Sequence, residues 1–183
     1  MDRISLLAIF IVVFVAIGKT QPNGIPLKEI PADYGYIVKI GQQMPDIEMK
    51  LTDGTIVTTA SLKGKVVMLQ FTASWCGVCR REMPHIEKGN LAETQEQQRL
   101  CPNRHRHGRT AGNGEKFAKD MKINYPLALD PGGEIFYTFA TKGAGVTRNV
   151  IIDRSGKTVY MTQLLKKEEF NEMIEVIEML LKN

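Results

Sequence analysis

Two cysteines three positions apart, Cys76 and Cys79, have the spacing for redox chemistry. They follow an apolar, β-branched run that starts at Lys65, just after Gly64, and reads as a fully buried strand. The chain then turns through Ala73-Ser74-Trp75 and continues past Cys76-Gly77-Val78-Cys79 as a charged helix. This order puts the pair in the first turn of a helix leaving a buried strand. Unpaired N–H groups and a partial positive charge at such a helix start stabilise a thiolate at Cys76. Cys79, one turn on, is placed to attack a mixed disulfide formed on Cys76. The spacing predicts thiol–disulfide exchange. A purely structural bridge is a weaker reading, because a four-residue loop constrains the unfolded chain little.

The strand followed by WCGVC resembles the thioredoxin superfamily, and the REMP that follows is most similar to its exported TlpA/ResA branch of disulfide reductases. That resemblance implies a thioredoxin-like α/β fold, a central mixed sheet flanked by helices with an N-terminal β-hairpin. It also implies a nucleophile at Cys76, a resolving thiol at Cys79, and a Trp75 ring covering their disulfide. Pro84 matches the family's kink inside the helix. Glu82 matches the acid this branch keeps near the pair, and it is the candidate for handling the proton of Cys79. The acid that thioredoxins carry six residues before the first cysteine is replaced here by Gln70. Thr147 falls where the family has a cis-proline that exposes backbone to a bound substrate chain, and Arg148 beside it could steer a thiolate or carboxylate. A peroxidase of the related peroxiredoxin kind would want Pro-x3-Thr-x2-Cys, and Leu69 and Ala73 occupy those places.

The elements that must position these residues read as follows. Ile47, Met49 and Leu51 alternate up to Thr52-Asp53-Gly54-Thr55, a hairpin turn, and Ile56-Val57 begin the return. A short helix, EKFAKDMK from Glu115, leads to Tyr125-Pro126-Leu127-Ala128-Leu129-Asp130, and a further helical run spans Glu134 to Phe139. Val150-Ile151-Ile152, the turn Asp153-Arg154-Ser155-Gly156 and Thr158 to Met161 make a second hairpin. Phe170, Met173, Ile174, Ile177, Leu180 and Leu181 repeat at helical spacing and predict a closing helix with a core-facing stripe.

At 183 residues and 43% hydrophobic, the chain can build one well-cored domain, expected over residues 37–183. Ile4 to Ile17 is an unbroken apolar run of fourteen residues, short of the roughly 20 that span a bilayer. Residues 1–18 therefore read as a signal peptide or membrane anchor, and 19–36, with Pro22, Pro26 and Pro31, as a linker or N-terminal arm. Either form predicts an exported protein, periplasmic or in the cell envelope. Three cysteines make no disulfide scaffold, which leaves the C-x-x-C as a redox unit. No cofactor or metal is expected. The family resemblance implies a membrane electron donor that reduces the pair again, and disulfide-bearing exported substrates, apocytochrome c among them.

Residues 89–114, GNLAETQEQQRLCPNRHRHGRTAGNG, break the pattern. The fold needs the end of a helix and then a buried strand here, yet no apolar run exceeds two residues. Read one base out, with permitted codons, the same 26 residues become EIWLKHKNNKDFALIGIDTDEPLETV, which supplies a helix and an apolar strand, FALIGID. One inserted base near Gly89 and one lost base near Gly114 would produce the written string. Taken as written, the segment predicts an exposed, disordered loop beside a raw sheet edge, and an inactive protein with a disrupted sheet. Its four arginines, Arg99, Arg104, Arg106 and Arg109, against Glu93 and Glu96, carry half of the formal net charge of +4. That charge is no ground for nucleic-acid binding. Cys76, Cys79, Cys101, His105 and His107 also offer the ligand types of a zinc-binding module, though at irregular spacing.

Overall fold

The computed structural model describes residues 24–25, 28–88, 97–104, 111–125 and 127–182. The apolar Ile4–Ile17 run lies outside them, as do His105, His107, Arg106 and Arg109. Among the described residues no helix is long and apolar enough to cross a membrane.

Among the described residues seven strands form one mixed sheet, in which β3 (Val66–Ala73) is an interior strand buried along its whole length. The remaining strands are β1 (Glu48–Leu51), β2 (Ile56–Thr58), β4 (Gln97–Arg104), β5 (Leu127–Asp130), β6 (Arg148–Ile152) and β7 (Thr158–Gln163). Their order across the sheet is β2-β1-β5-β4-β3-β6-β7. Parallel pairs β3–β4 and β4–β5 fill the middle, and the antiparallel β1–β2 and β6–β7 hairpins lie at the two edges. This is the thioredoxin-like α/β arrangement. The helices are α1 (Gly77–Lys88), α2 (Ala111–Met121), α3 (Glu134–Phe139) and α4 (Lys167–Lys182).

Period-two alternation along β3 decides which side chain meets which layer. Val67, Leu69, Phe71 and Ala73 enter the core built with Phe136 and Phe139 of α3. Val66 and Met68 face the other way, where Ile86 of α1 and Met173, Val176, Ile177 and Leu180 of α4 complete a second core. The apolar stripe expected on the closing helix is that packed face. In the first hairpin Asp53 Oδ1 accepts the Thr55 N–H at 2.9 Å, and Gly54 takes φ 89°, a conformation that favours glycine. Asp153 does the same work in the second hairpin, accepting from the Ser155 and Lys157 N–H groups at 2.9 and 3.0 Å.

The written 89–114 string departs from expectation at β4. A raw edge and a loop were predicted there. Instead Gln97–Arg104 is a strand between β3 and β5, paired with both. The slot itself explains this: two buried neighbours present N–H and C=O groups that must be paired, and only an extended segment pairs them. Leu100 and Pro102 are buried in it. The fit is imperfect. Pairing with β3 runs from Val66–Gln97 to Leu69–Leu100, then resumes at Thr72–Asn103. The gap falls beside Pro102, which has no N–H to give the ladder. Helix α2 also begins at Ala111, four residues before the expected Glu115.

The described part of the N-terminal arm is docked against the domain. Tyr36 forms a bridge with Ala140, and its hydroxyl donates to the carbonyls of Asn149 and Thr162, at 3.1 and 2.6 Å. Lys28 Nζ donates to Tyr160 Oη at 3.0 Å. Tyr34 Oη is bonded to Glu169 of α4.

Candidate active site

Cys76 stands at the junction of β3 and α1. Its N–H donates to the Ala73 carbonyl at 2.9 Å, closing the turn, and its carbonyl accepts from Arg80 N–H at 3.1 Å, opening the helix. Its sulfur accepts the Cys79 N–H at 3.2 Å, the bond an N-cap side chain makes to the third helical residue. A thiolate there meets a backbone donor and the positive end of the helix. The two cysteines are joined in a disulfide with Cα atoms 5.3 Å apart. Cys76 keeps 9% exposure and Cys79 has none, so an incoming sulfur reaches Cys76 first. Trp75, 46% exposed, stands beside Cys76 at the rim.

Glu82 lies one turn past Cys79 on α1 and is buried. Its carboxylate accepts from Asn149 Nδ2 at 2.9 Å and from Gln70 Nε2 at 3.3 Å. Gln70 Oε1 in turn accepts the Tyr125 hydroxyl at 2.7 Å. Burial pushes the Glu82 carboxyl up to about 7, and the two amide hydrogen bonds only partly offset it. The register produces this constellation. Gln70 of β3 pairs with Asn149 of β6, so both amides project from the same face of the sheet onto α1. In the sequence Gln70 shows only as a missing acid, and Asn149 and Tyr125 join the site only in the tertiary structure. Their signal was faint but present: Gln70 and Asn149 are polar residues inside apolar strands, where burial demands a partner.

Thr147 and Arg148, neighbours in sequence, point to different places. The Thr147 hydroxyl lies 3.2 Å from Cys76 Sγ and 3.2 Å from Cys79 Sγ. Arg148 is 1% exposed. Its guanidinium lies over the Tyr36 ring at 4.6 Å and near Phe136 at 5.9 Å, and Nε donates to the Gly145 carbonyl at 2.7 Å. Burial lowers its pKa, and it offers no charged head to the surface. A guanidinium packed beneath the arm is a framework group, in place of the substrate-steering cation expected from its position beside Thr147. The same burial drives the Tyr36 hydroxyl upward, against the opposing pull of Arg148.

The zinc arrangement gains no support. Cys76 and Cys79 are bonded to each other, and among the described residues no three His, Cys, Asp or Glu side chains could hold an ion.

The AhpC/TSA family profile matches residues 40–161, more than half of the chain and the whole of the cysteine site. The chain belongs to the AhpC/TSA family. It is 27% identical over 155 residues to the thiol-disulfide oxidoreductase ResA of Bacillus thuringiensis subsp. konkukian, covering 77% of this chain and 80% of that one. Against ResA of Halalkalibacterium halodurans the identity is 27% over 180 residues, covering 94% and 93%. A Bacteroides thetaiotaomicron protein solved in solution, described as a candidate protein disulfide isomerase, is 48% identical. It superposes with a TM-score of 0.76, covering 81% of this chain and 94% of that one. This family member is a thiol-disulfide oxidoreductase. Its enzyme chemistry needs a solvent-reachable sulfur and a shielded second sulfur, which is what the Cys76–Cys79 pair provides.

Proposed function

We propose that the protein is an exported disulfide reductase in which Cys76 attacks and Cys79 resolves. The Cys76 thiolate attacks one sulfur of a substrate disulfide, forming a Cys76–substrate bond and releasing the other substrate sulfur as a thiolate that takes up a proton. Cys79 gives its proton to Glu82 and attacks Cys76 Sγ. This re-forms the Cys76–Cys79 disulfide and frees the second substrate thiol. The substrate gains two electrons and the pair loses two, so a membrane-borne electron donor must then reduce the pair again. The observation that carries the direction of attack is the unequal exposure of the two sulfurs, with Cys76 at the rim and Cys79 enclosed. Substrates are disulfide-bearing exported proteins, with apocytochrome c thiols as one candidate class. The apolar Ile4–Ile17 run supports export, as a signal peptide or membrane anchor.

Glu82 is the proposed acid–base group because its carboxyl, at about 7, changes protonation near neutral pH. Replacing it gives a test with two readouts. Glu82→Gln, which keeps an oxygen for Asn149, is expected to raise the apparent pKa governing resolution in single-turnover stopped-flow measurements. An unmoved pH profile would reduce Glu82 to a buried structural carboxyl. Stability responds with a definite sign. The folded-state pKa lies above the unfolded value of 4.5, so the folded form binds the extra proton between these values. The contribution of Glu82 to stability therefore falls as pH rises from about 4.5 through 7, by about 3 kcal/mol. The Glu82→Gln protein should lack that decline in urea titrations at pH 5 and pH 8.

A further inference from the structure

The Thr147 hydroxyl is equidistant from the two sulfurs, 3.2 Å from each, and the residue is 2% exposed. Its main chain is fixed: the carbonyl accepts the Leu164 N–H at 3.1 Å, and Leu164 holds a left-handed φ of 60° to make that bond. Its side chain bonds only to the two sulfurs among the described residues. A hydroxyl has one proton to donate and two lone pairs. Facing a disulfide, it has a weak acceptor on either side and no donor. Reduction changes what it faces. Two electrons and one proton break the S–S bond and leave a thiolate on Cys76 and a thiol on Cys79.

We propose that Thr147 is a catalytic residue of this oxidoreductase, its hydroxyl donating a hydrogen bond to whichever of Cys76 and Cys79 carries the thiolate and accepting the S–H of the other. In the resting dithiol the chain reads Cys79 S–H to Thr147 O–H to Cys76 thiolate. When Cys76 is tied in a mixed disulfide, the same hydroxyl turns its proton to the forming Cys79 thiolate. Hydrogen bonds to an ionised group are stronger than those to a neutral one, so the reduced pair is favoured over the disulfide. Among the described residues, several charges on the elements around the pair have partners of their own. Arg80 is bound to the Ser74 carbonyl and lies over Phe117, and Arg148 is turned to Gly145 and Tyr36. Glu82 is held by Gln70 and Asn149, and Arg81 is exposed on α1. Among the described residues, Cys76 Sγ is hydrogen-bonded by the Cys79 N–H and lies within hydrogen-bond distance of this hydroxyl.

The inference rests on the thiol–disulfide reading, and its test separates the two. Iodoacetamide alkylation of Cys76, followed by peptide mass spectrometry against pH, reads the thiolate directly in the reduced full-length chain. Thr147→Val keeps the shape and loses the hydroxyl, and Thr147→Ala loses both. Each is expected to raise the Cys76 midpoint by about one unit, about a tenfold loss in acid dissociation. Both should also make the pair more reducing in glutathione titrations, because the dithiol loses its support. Thr147→Ser restores the donor and should titrate within about twofold of wild type. Val and Ala midpoints equal to wild type would overturn the proposal, as would a Ser midpoint displaced as far as Val. Insulin-disulfide reduction by the wild type reports on the other reading. An inactive wild type whose Val midpoint still rises discards the reductase and keeps the hydroxyl's role, whereas an active wild type with an unmoved midpoint does the reverse.

Discussion

Cys76→Ser is expected to bring insulin-disulfide reduction down to the rate of buffer alone, a loss of at least roughly 10³-fold, the scale on which removal of a catalytic nucleophile acts. The reason is chemical as well as geometric. A serine hydroxyl does not ionise near neutral pH, and the sulfur at position 76 is the one that incoming substrate can reach. Cys79→Ser should give a different failure. Attack by Cys76 still proceeds, but no second thiol stands beside it to release the adduct. The substrate should then accumulate as a mixed disulfide, visible on non-reducing gels and released by dithiothreitol. Full activity in the Cys76→Ser protein would end the assignment. A Cys79→Ser protein that turns over freely would mean that resolution uses another thiol.

The second large effect concerns β4. The written residues place Pro102 in the middle of the central strand, where the pairing with β3 is interrupted. The one-base-shifted reading puts FALIGID over positions 100–106, overlapping the strand that the structure forms at Gln97–Arg104. A chain carrying the shifted string in place of residues 89–114 regains a ladder hydrogen bond, worth about 1 kcal/mol, through Pro102→Leu. It also gains apolar bulk through Leu100→Phe and Pro102→Leu in a buried strand, at roughly 0.8 kcal/mol per added methylene. The expected gain is about 4 kcal/mol, which in a domain of this size raises Tm by roughly 8–16 °C. Thermal unfolding of the two oxidised chains, followed by near-UV circular dichroism, decides it. An equal or lower Tm for the shifted chain removes the physical case for a displaced reading frame. Sequencing source DNA across codons 85 to 118 tests the same idea independently.

Much of the fold was legible because its signals are local. The β3 run, the Asp53-Gly54 turn, the Asp153–Gly156 turn and the helical stripe of α4 each follow from a few neighbouring residues and the geometry they allow. Cys76 and Cys79 were legible for the same reason: strand, turn and helix start are contiguous, and the chemistry follows from that order. β4 was not legible, because its extended form is imposed by β3 and β5 on either side and not by its own residues. Tertiary context overrides a poor intrinsic preference when the alternative is two rows of unpaired buried backbone.

The amino-acid sequence by itself determined that two cysteines share a helix N-terminus, that Glu82 lies on the same helix, and that Thr147 and Arg148 precede a buried strand. Only the tertiary structure decided what those residues do to one another. The Gln70–Asn149 register turns two amides onto Glu82, and the alternation of β6 sends Arg148 to the opposite face, beneath Tyr36. The end of β7 fixes Thr147 so that its hydroxyl meets both sulfurs. Most of these contacts join residues more than sixty positions apart, and a one-residue slip in pairing would send these side chains to the other face.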